Sequence, residues 1–267
     1  MKLTIVPQGG LCNRMNTILS AIALNQANNF KYEINIYWEK SHDCYAHFEE
    51  IFEPLQIKNI TIQPLKDFHL KSGGKRALFL PNLFRIFKFD ASYNGYKIGN
   101  LNIEELINNK NNVYISACNR FCLYEIQESI GNYFKPNQDI EKRIQAITQQ
   151  FTDSTIGIHI RRTDNILAIK NNPISKFITL IEKELSINSN TKFYIASDDV
   201  NVKQELANKF PNKIIQNNWE LRRDTENGMK DAVAELYCLG RTKKIIGCGH
   251  STYSLMASWL YNIPIII

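Results

Sequence analysis

Long hydrophobic runs, closely paired cysteines and tails of one charge sign are absent from this sequence of 267 residues. No stretch approaches the roughly 20 apolar residues that a membrane-spanning helix needs. The six cysteines are scattered and form no C-x-x-C pair, which argues against a zinc ribbon or a disulfide-stapled fold. The opening MKLTIVPQGG lacks the apolar core and cleavage site of a signal peptide. We therefore expect a cytoplasmic protein.

The charge that is present favours anionic partners. The formal net charge is +6, with a sequence pI of about 8.9. This balance suits an anionic small ligand, a phospholipid surface or a nucleic acid. Because no arginine-rich arm or long basic tail occurs, nucleic-acid binding is the weakest of the three, and we expect no nucleic-acid partner.

Strand-like and helix-like segments alternate along much of the chain. KLTIVP predicts a first strand and residues 11–28 a helix, and five apolar segments after residue 150 are separated by helical periods. This alternation predicts an α/β protein with mainly parallel sheets. We expect two Rossmann-like lobes, residues 1–140 and 141–267, which face each other if the family resemblance described below holds, with irregular structure between residues 40 and 110. Gly240 is expected to follow a helix as its C′ residue.

The densest charge follows a predicted strand in IGIHIRRTDN, residues 156–165. Strand alternation places Gly157 and His159 on one face, opposite three isoleucines. Arg161, Arg162 and Asp164 then fall at the carboxyl end, where parallel sheets bind ligands. Two arginines there favour an anionic ligand held through paired donors. The alternative is a surface Arg–Asp pair at an ordinary turn.

Two further strand ends carry residues suited to a nucleotide. In GCGHST, Ser251 or Thr252 can cap a helix whose free amides attract an anion. The alternative is a routine glycine turn with a serine N-cap and no ligand. In SDD, Asp198 or Asp199 can cap a helix or accept hydrogen bonds from ribose hydroxyls or base nitrogens. Neither motif is specific by itself.

The turn after the first strand, QGGLCNRM, completes the set. Gly9 and Gly10 permit a tight turn, and Asn13 can cap the following helix or reach a ligand. The motif is neither G-x-G-x-x-G nor a Walker loop, so it does not indicate a phosphate cradle of either type.

Taken together, GGLCNRMNTILSAIAL, HIRRTD, FYIASDD and DAVAELYCLGRTKKIIGCGHSTYSLMASWL resemble the fucosyltransferase superfamily that uses GDP-fucose. That superfamily includes bacterial α-1,2-fucosyltransferases, nodulation and core α-1,6-fucosyltransferases, and protein O-fucosyltransferases. The resemblance covers the start of the chain and most of residues 114–262. It implies a GT-B-type fold with an N-terminal acceptor lobe and a C-terminal donor lobe, inversion at the anomeric carbon, and no divalent metal or other cofactor.

The resemblance also implies roles for individual residues. Arg161 matches the arginine that binds the β-phosphate. Some α-1,6-type members have a glutamate, the presumed catalytic base, shortly after H-x-R-R-T-D. The corresponding run here, NILAIK, has no acidic residue, so Asp164 is the stand-in for the base. The catalytic set is therefore Arg161, Asp164 and Asn13. The expected donor-binding residues are His159, Arg161, Arg162, Asp198, Asp199, Asp231, Ser251, Thr252 and Gly10.

These expectations define the predicted function. We expect an inverting, metal-independent transferase that moves fucose from GDP-fucose to a hydroxyl of an oligosaccharide or glycolipid, in bacterial glycan biosynthesis. The alternatives are a glycosyltransferase for another nucleotide sugar and a non-catalytic carbohydrate- or nucleotide-binding module. Residues 71–89 mix basic and aromatic side chains, which fits contact at the inner membrane surface or, as the preferred alternative, a basic-rimmed core helix.

Overall fold

The computed structural model describes residues 1–65, 80–98, 101–126, 128–163, 166–220 and 222–267. The chain divides into two compact units, Met1–Lys135 and Pro136–Ile267. Asp164 and residues 71–79 of the basic segment lie outside the described residues, so the structure does not place them.

The N-terminal unit contains a parallel sheet with the strand order β3-β2-β1-β5-β4 among the described residues. Its strands are β1 (Lys2–Pro7), β2 (Glu33–Trp38), β3 (Ile60–Pro64), β4 (Ala91–Asn94) and β5 (Asn112–Ala117). Its helices are α1 (Leu11–Ala27), α2 (Phe48–Ile51), α3 (Asn82–Lys88), α4 (Gly95–Ile98), α5 (Ile103–Ile107) and the 3-10 turn Ile130–Asn132.

Helix α1 forms because its apolar side chains recur at helical spacing, and it is buried on nearly every side. Helix α3 differs, because none of its residues is buried. Phe84 packs partly against an apolar cluster around Val6 and Tyr114, while Phe87 on the outer face is 88% exposed. The interpretation of this segment as a core helix is therefore wrong for α3.

The C-terminal unit contains a parallel sheet in the order β10-β9-β6-β7-β8 among the described residues. Its strands are β6 (Ile156–Ile160), β7 (Phe193–Ser197), β8 (Ile214–Ile215), β9 (Ile245–Ile246) and β10 (Ile265–Ile266). Its helices are α6 (Gln138–Thr148), α7 (Ile166–Asn171), α8 (Ile174–Ile187), α9 (Val200–Lys209), α10 (Glu226–Gly240) and α11 (Thr252–Tyr261). The strand order reverses between β6 and β9, which is where such sheets bind ligands.

The two faces of β6 differ as the alternation predicts. Ile156, Ile158 and Ile160 join a core cluster with side chains of α8, β7 and α9. On the other face, Gly157 lies so close to α10 that a Cβ atom there would meet the Leu239 side chain at 3.0 Å, and the Thr242 hydroxyl just after the helix at 2.8 Å. That close approach brings α10 near the strand whose end carries the charged residues.

Gly240 does not cap α10 in the left-handed conformation. It is the last helical residue, Arg241 is the C-cap, and Gly240 does not have a positive φ. A Cβ atom at this position would overlap the ring of Tyr261 on α11. The predicted C′ role is wrong, and the glycine instead permits close packing of two helices. Within the described part of the chain, no helix is both long enough and apolar enough to span a bilayer.

Candidate functional site

A cleft that is partly open to solvent lies at the carboxyl ends of β6 and β7 in the C-terminal unit. Charged and aromatic side chains dominate its lining. They are His159, Arg161, Asp198, Trp219, Glu220, Arg222, Arg223, Asp231, Glu235 and Tyr253. The cleft therefore offers both cationic and anionic groups to a ligand.

The Asp198 carboxylate organises the turn after β6. Because Ile160 and Ser197 are register partners in neighbouring strands, the residues that follow them adjoin. Asp198 Oδ2 lies 3.1 Å from Arg161 Nε, and Oδ1 accepts from the Arg162 backbone N–H at 2.7 Å. Oδ2 also accepts from the Thr163 hydroxyl at 2.6 Å and its backbone N–H at 3.3 Å. Asp198 thus holds Arg161 in place at the cleft.

Two predicted donor-binding residues, Asp199 and Arg162, make structural contacts in this region. Asp199 is the N-cap of α9, and its side chain accepts from the Asn201 backbone N–H at 2.8 Å. Arg162 Nη2 donates to the carbonyl oxygen of Asn172 at 2.8 Å. Neither residue lines the cleft among the described residues. The sequence-based expectation of N-capping by an aspartate is confirmed for Asp199.

His159 is a buried, neutral group on the wall of the cleft. Its side chain is on the α10 side of β6, and its ring lies 5.0 Å from the ring of Tyr253. Burial and, next, the Arg161 charge lower the pKa of His159 to about 4, against the opposing effect of Asp198. Its Nδ1 has no hydrogen-bond partner among the described atoms. A ligand in the cleft can supply one.

The opening turn of α11 lies beside the turn after β6. Ser251 is the N-cap, with its hydroxyl accepting from the Tyr253 backbone N–H at 3.4 Å, and Thr252 is the first helical residue. Burial raises the pKa of the Cys248 thiol, and a hydrogen bond from the Arg161 backbone N–H lowers it in part. Asn172 contacts both turns, since its carbonyl oxygen accepts from Arg162 Nη2 at 2.8 Å and its Oδ1 accepts from Gly249 N at 3.3 Å. The arginine turn and the positive end of α11 are therefore neighbours, as an anion site at this rim requires.

The floor of the cleft carries a buried carboxylate, Glu235, that the sequence motifs do not predict. Glu235 on α10 lies 2.8 Å from Lys203 Nζ, which also donates to Asn217 Oδ1 at 3.3 Å. Asn217 in turn donates to the Tyr194 hydroxyl at 2.9 Å. Burial raises the pKa of Glu235, and Lys203 is the largest opposing influence. Lys203 thus compensates part of the cost of burying this carboxylate.

Asp231 lies one helical turn before Glu235 and also lines the cleft. It is 4% exposed, and its Oδ1 lies 2.5 Å from Arg143 Nη1 of α6. Its Oδ2 accepts from the Glu220 backbone N–H at 2.9 Å. These contacts fix the loop that carries Trp219 over α10.

That loop closes one side of the cleft with two further arginines. Arg222 forms a two-bond ion pair with Asp224, at 2.9 Å for each bond, and Arg223 also lines the cleft. The Arg222 carbonyl lies so close to α10 that no Cβ atom fits at Gly228. Gly228 therefore allows the loop to rest directly on the start of the helix.

The remaining predicted residues lie in the N-terminal unit. Gly9 adopts a φ of +79°, and Gly10 is the N-cap of α1 without a side-chain cap. Asn13 lies in the first turn of α1, with its amide nitrogen 3.2 Å from where a Cβ of Gly9 would be. The structure therefore brings His159, Arg161, Asp198 and Asp231 together in one cleft, places Ser251 and Thr252 beside it, and carries Gly10 and Asn13 on the other unit.

Signals for the missed residues were present but were local and ambiguous. Asp231 and Glu235 are spaced i,i+4 in DAVAE, which puts both on one helix face. The Arg222–Arg223 pair occurs in a loop with no apolar period to place it. Among the described residues, no group of three or more His, Cys, Asp or Glu side chains is placed to hold a metal ion.

Comparison with solved structures gives the same fold. NodZ fucosyltransferase from Bradyrhizobium is 19% identical with a TM-score of 0.70, covering 99% of this chain and 94% of that one. An Arabidopsis thaliana FUT1 variant in complex with GDP is 13% identical with a TM-score of 0.63, covering 99% and 69%. POFUT1 in complex with GDP-fucose is 14% identical with a TM-score of 0.56, covering 98% and 96%.

No family model matches the chain. The structural likeness extends over nearly the whole length of both NodZ and this chain, including a NodZ α-1,6-fucosyltransferase structure soaked with GDP-fucose, at 19% identity. The predicted α/β architecture with Rossmann-like units of parallel strands is confirmed. The chain has the fold of these fucosyltransferases.

Proposed function

We propose that this protein is a glycosyltransferase that moves fucose from GDP-fucose to a hydroxyl of a glycan acceptor. The observation that carries the proposal is the pairing of Arg161, held by Asp198, with the opening turn of α11 at one rim of a charged cleft. Solved structures with this fold include fucosyltransferases that contain GDP or GDP-fucose, which supports the same donor here.

The chemistry follows from where charge develops. As the bond between the sugar C1 and the diphosphate oxygen breaks, negative charge grows on the departing GDP. The Arg161 guanidinium and the free amides at the start of α11 are preorganised to stabilise that charge, so no divalent cation is required. The acceptor hydroxyl attacks C1 from the opposite face, which inverts the anomeric configuration. Its proton passes to solvent as the new C1–O bond forms and the bond to the diphosphate breaks.

The nucleoside end of the donor fits the inner part of the cleft. Guanine presents an N1–H and an amino group, and both donate to a carboxylate. Glu235 on the floor is a buried carboxylate of this kind, and neutral His159 leaves a ring nitrogen for a ribose or base atom. We assign Asp231 to holding this part of the cleft, because Arg143 and the Glu220 backbone N–H already contact both of its oxygens.

Calorimetry across GDP-fucose, GDP-mannose, GDP and UDP tests the donor assignment, with an assay of transfer to a glycan mixture. GDP and GDP-fucose should bind, and Arg161→Ala should lower turnover by a factor of about 100 or more. Lys209→Ala removes an exposed cation at the end of α9 and serves as the control with unchanged turnover. Tighter binding of UDP than of GDP would overturn the donor, and GDP binding without turnover would favour a non-catalytic module.

We place this activity in the bacterial cytoplasm, with contact to the inner membrane through residues 71–89 and an oligosaccharide or glycolipid acceptor. On α3, Leu83, Ile86 and Phe87 are 71%, 63% and 88% exposed, and Lys88 is exposed beside them. An exposed apolar face next to a cation fits a surface of anionic lipid.

Sedimentation with vesicles tests the membrane contact. The protein should co-sediment with phosphatidylglycerol vesicles more than with phosphatidylcholine vesicles, and the double variant Leu83→Ser, Phe87→Ser should lose most of that binding. Ile187→Ser, which removes a similarly exposed side chain at the end of α8, should retain it. Equal sedimentation of all three proteins would rule out contact through α3.

A further inference from the structure

We propose that Asn172 is a positioning residue that couples the two elements of the anion site, and this proposal rests on the proposed function of the cleft. One element is the β6 turn, residues 161–163, which carries Arg161. The other is the α11 turn, residues 247–251, which precedes the free amides of α11. Asn172 follows α7 in the connection from β6 to β7, and it is only 1% exposed.

The side chain of Asn172 contacts the α11 turn through both of its polar atoms. Gly249 N donates to Asn172 Oδ1 at 3.3 Å, and Asn172 Nδ2 approaches Gly249 O at 3.4 Å. One side-chain amide therefore faces both main-chain polar atoms of a single residue. This arrangement orients the peptide groups that lead directly into the start of α11.

The main chain of Asn172 contacts the β6 turn. Its carbonyl oxygen accepts from Arg162 Nη2 at 2.8 Å, while the Arg162 backbone N–H donates to Asp198. Arg162 is thus fixed at both ends, by Asp198 and by Asn172, and Arg161 precedes it in the chain. A second contact runs in parallel, because Asn171 Nδ2 lies 3.0 Å from His250 Nε2 in the α11 turn.

Asn172 is itself held by its own connection. Its Nδ2 donates to Ala168 O at 2.8 Å, and its Oδ1 also accepts from Lys176 Nζ at 2.9 Å. Only an amide supplies a donor and an acceptor at this length of side chain. Aspartate retains the acceptor and leaves Ala168 O and Gly249 O without the donor, and serine is too short to make these contacts.

The coupling has a consequence specific to the diphosphate. The diphosphate is the part of the donor that must contact both turns at once, whereas the nucleoside is recognised by His159 and Glu235 on other elements. Loss of Asn172 should therefore weaken binding of the diphosphate and leave binding of the nucleoside nearly unchanged. A general loss of structure would weaken both.

Calorimetry with GDP, guanosine and inorganic pyrophosphate separates these effects in the intact chain. For Asn172→Ser and Asn172→Asp we expect GDP and pyrophosphate to bind about tenfold more weakly, with guanosine affinity within about twofold of wild type. Asn188→Ser, an exposed asparagine at the end of α8, should change none of the three. The aspartate variant preserves size and the contact to Lys176, so it is expected to fold.

Each alternative outcome is decisive. Unchanged affinity for GDP and pyrophosphate in Asn172→Ser would overturn the positioning role, and so would an equal loss of affinity for GDP and guanosine. A loss confined to Asn172→Asp would reflect the added negative charge and would overturn it as well. Failure of wild-type protein to bind pyrophosphate or GDP would overturn the anion site and the positioning role together. If wild-type protein binds pyrophosphate and binds GDP no more tightly, the proposed donor is refuted. The effect of the Asn172 variants on pyrophosphate binding then still tests the positioning role.

Discussion

Arg14 and Arg161 both follow the central strand of a five-stranded parallel sheet, but the surroundings of the two arginines are opposite. Arg14 is fully buried, stacks 5.1 Å over the Trp38 ring, and donates to Gly9 O at 2.7 Å, to Ser41 Oγ at 2.7 Å and to Glu39 O. Arg161 keeps 26% of its side chain exposed, and it lines a cleft.

The difference shows that arginines at equivalent places in the two sheets can have different surroundings. Arg14 is surrounded by protein acceptors and holds the turn after β1 against the segment after β2. The Asp198 carboxylate contacts Arg161 through Nε, an arrangement that orients the guanidinium at the cleft. We infer that the C-terminal sheet edge provides charge for a ligand, and that the N-terminal edge uses its arginine for stability.

The largest expected effect is on the stability of the N-terminal unit. Arg14→Leu leaves two carbonyl oxygens and a hydroxyl without their donors in a buried site, and it should lower the free energy of unfolding by about 3–5 kcal/mol. Urea unfolding measures the change. Arg120→Leu, at an exposed arginine of the same unit, should cost less than about 0.5 kcal/mol. Similar losses in the two variants would contradict the structural role of Arg14.

The next effect is a pH dependence that belongs to the C-terminal unit. The pKa of His159 is lowered from 6.5 to about 4 in the folded protein, chiefly by burial. As pH falls below about 6.5 the unfolded chain takes up the proton first, so stability falls until about pH 4. This group contributes no change above that range. The loss amounts to about 3 kcal/mol at most.

Unfolding at pH 7 and pH 5 measures this dependence. His159→Phe preserves a ring beside Tyr253 and should remove part of the loss between the two pH values. His42→Gln, at an exposed histidine of the N-terminal unit, should leave the loss as in wild type. If His159→Phe retains the full pH dependence, the neutral buried histidine is not its source.

A third prediction separates two adjacent aspartates. Asp198→Asn removes the charge that holds Arg161 and should lower turnover by about 10–100-fold, because the arginine loses its fixed position. Asp199→Asn retains an N-cap of similar quality and should change turnover less than twofold. Steady-state kinetics with GDP-fucose measure both. Equal effects would mean that the contacts of Asp198 do not determine the position of Arg161.

The helices and strands that the sequence predicts are those determined by the spacing of their own apolar residues. Helix α1 and strand β6 follow from apolar spacing, because each buries a regular set of side chains. Strands β3 and β4 were missed because they are only partly buried and carry no clear alternation. Within the site, HIRRTD and SDD identify the charged strand ends from sequence alone.

The different contacts of neighbouring residues within the site, such as Asp198 and Asp199, could not be predicted in the same way. That Asp198 holds the β6 turn while Asp199 caps α9 depends on the pairing of Ile160 with Ser197 in neighbouring strands. Two chain-distant segments, around Arg143 and around Glu220, likewise meet at Asp231 only through packing. Such roles are fixed by tertiary neighbours, and a single sequence does not reveal them.

The smallest effect concerns two helix caps, one in each unit. Asn102 accepts from the Glu104 backbone N–H at 3.1 Å at the start of α5, and Ser251 performs the same task for α11. Replacement of either residue by alanine should cost about 1 kcal/mol of stability. Only Ser251→Ala should also weaken GDP binding, by about threefold, because its hydroxyl lies at the proposed diphosphate site. If both variants bind GDP like wild type, Ser251 serves α11 only as a cap, and the phosphate contacts there come from the backbone amides alone.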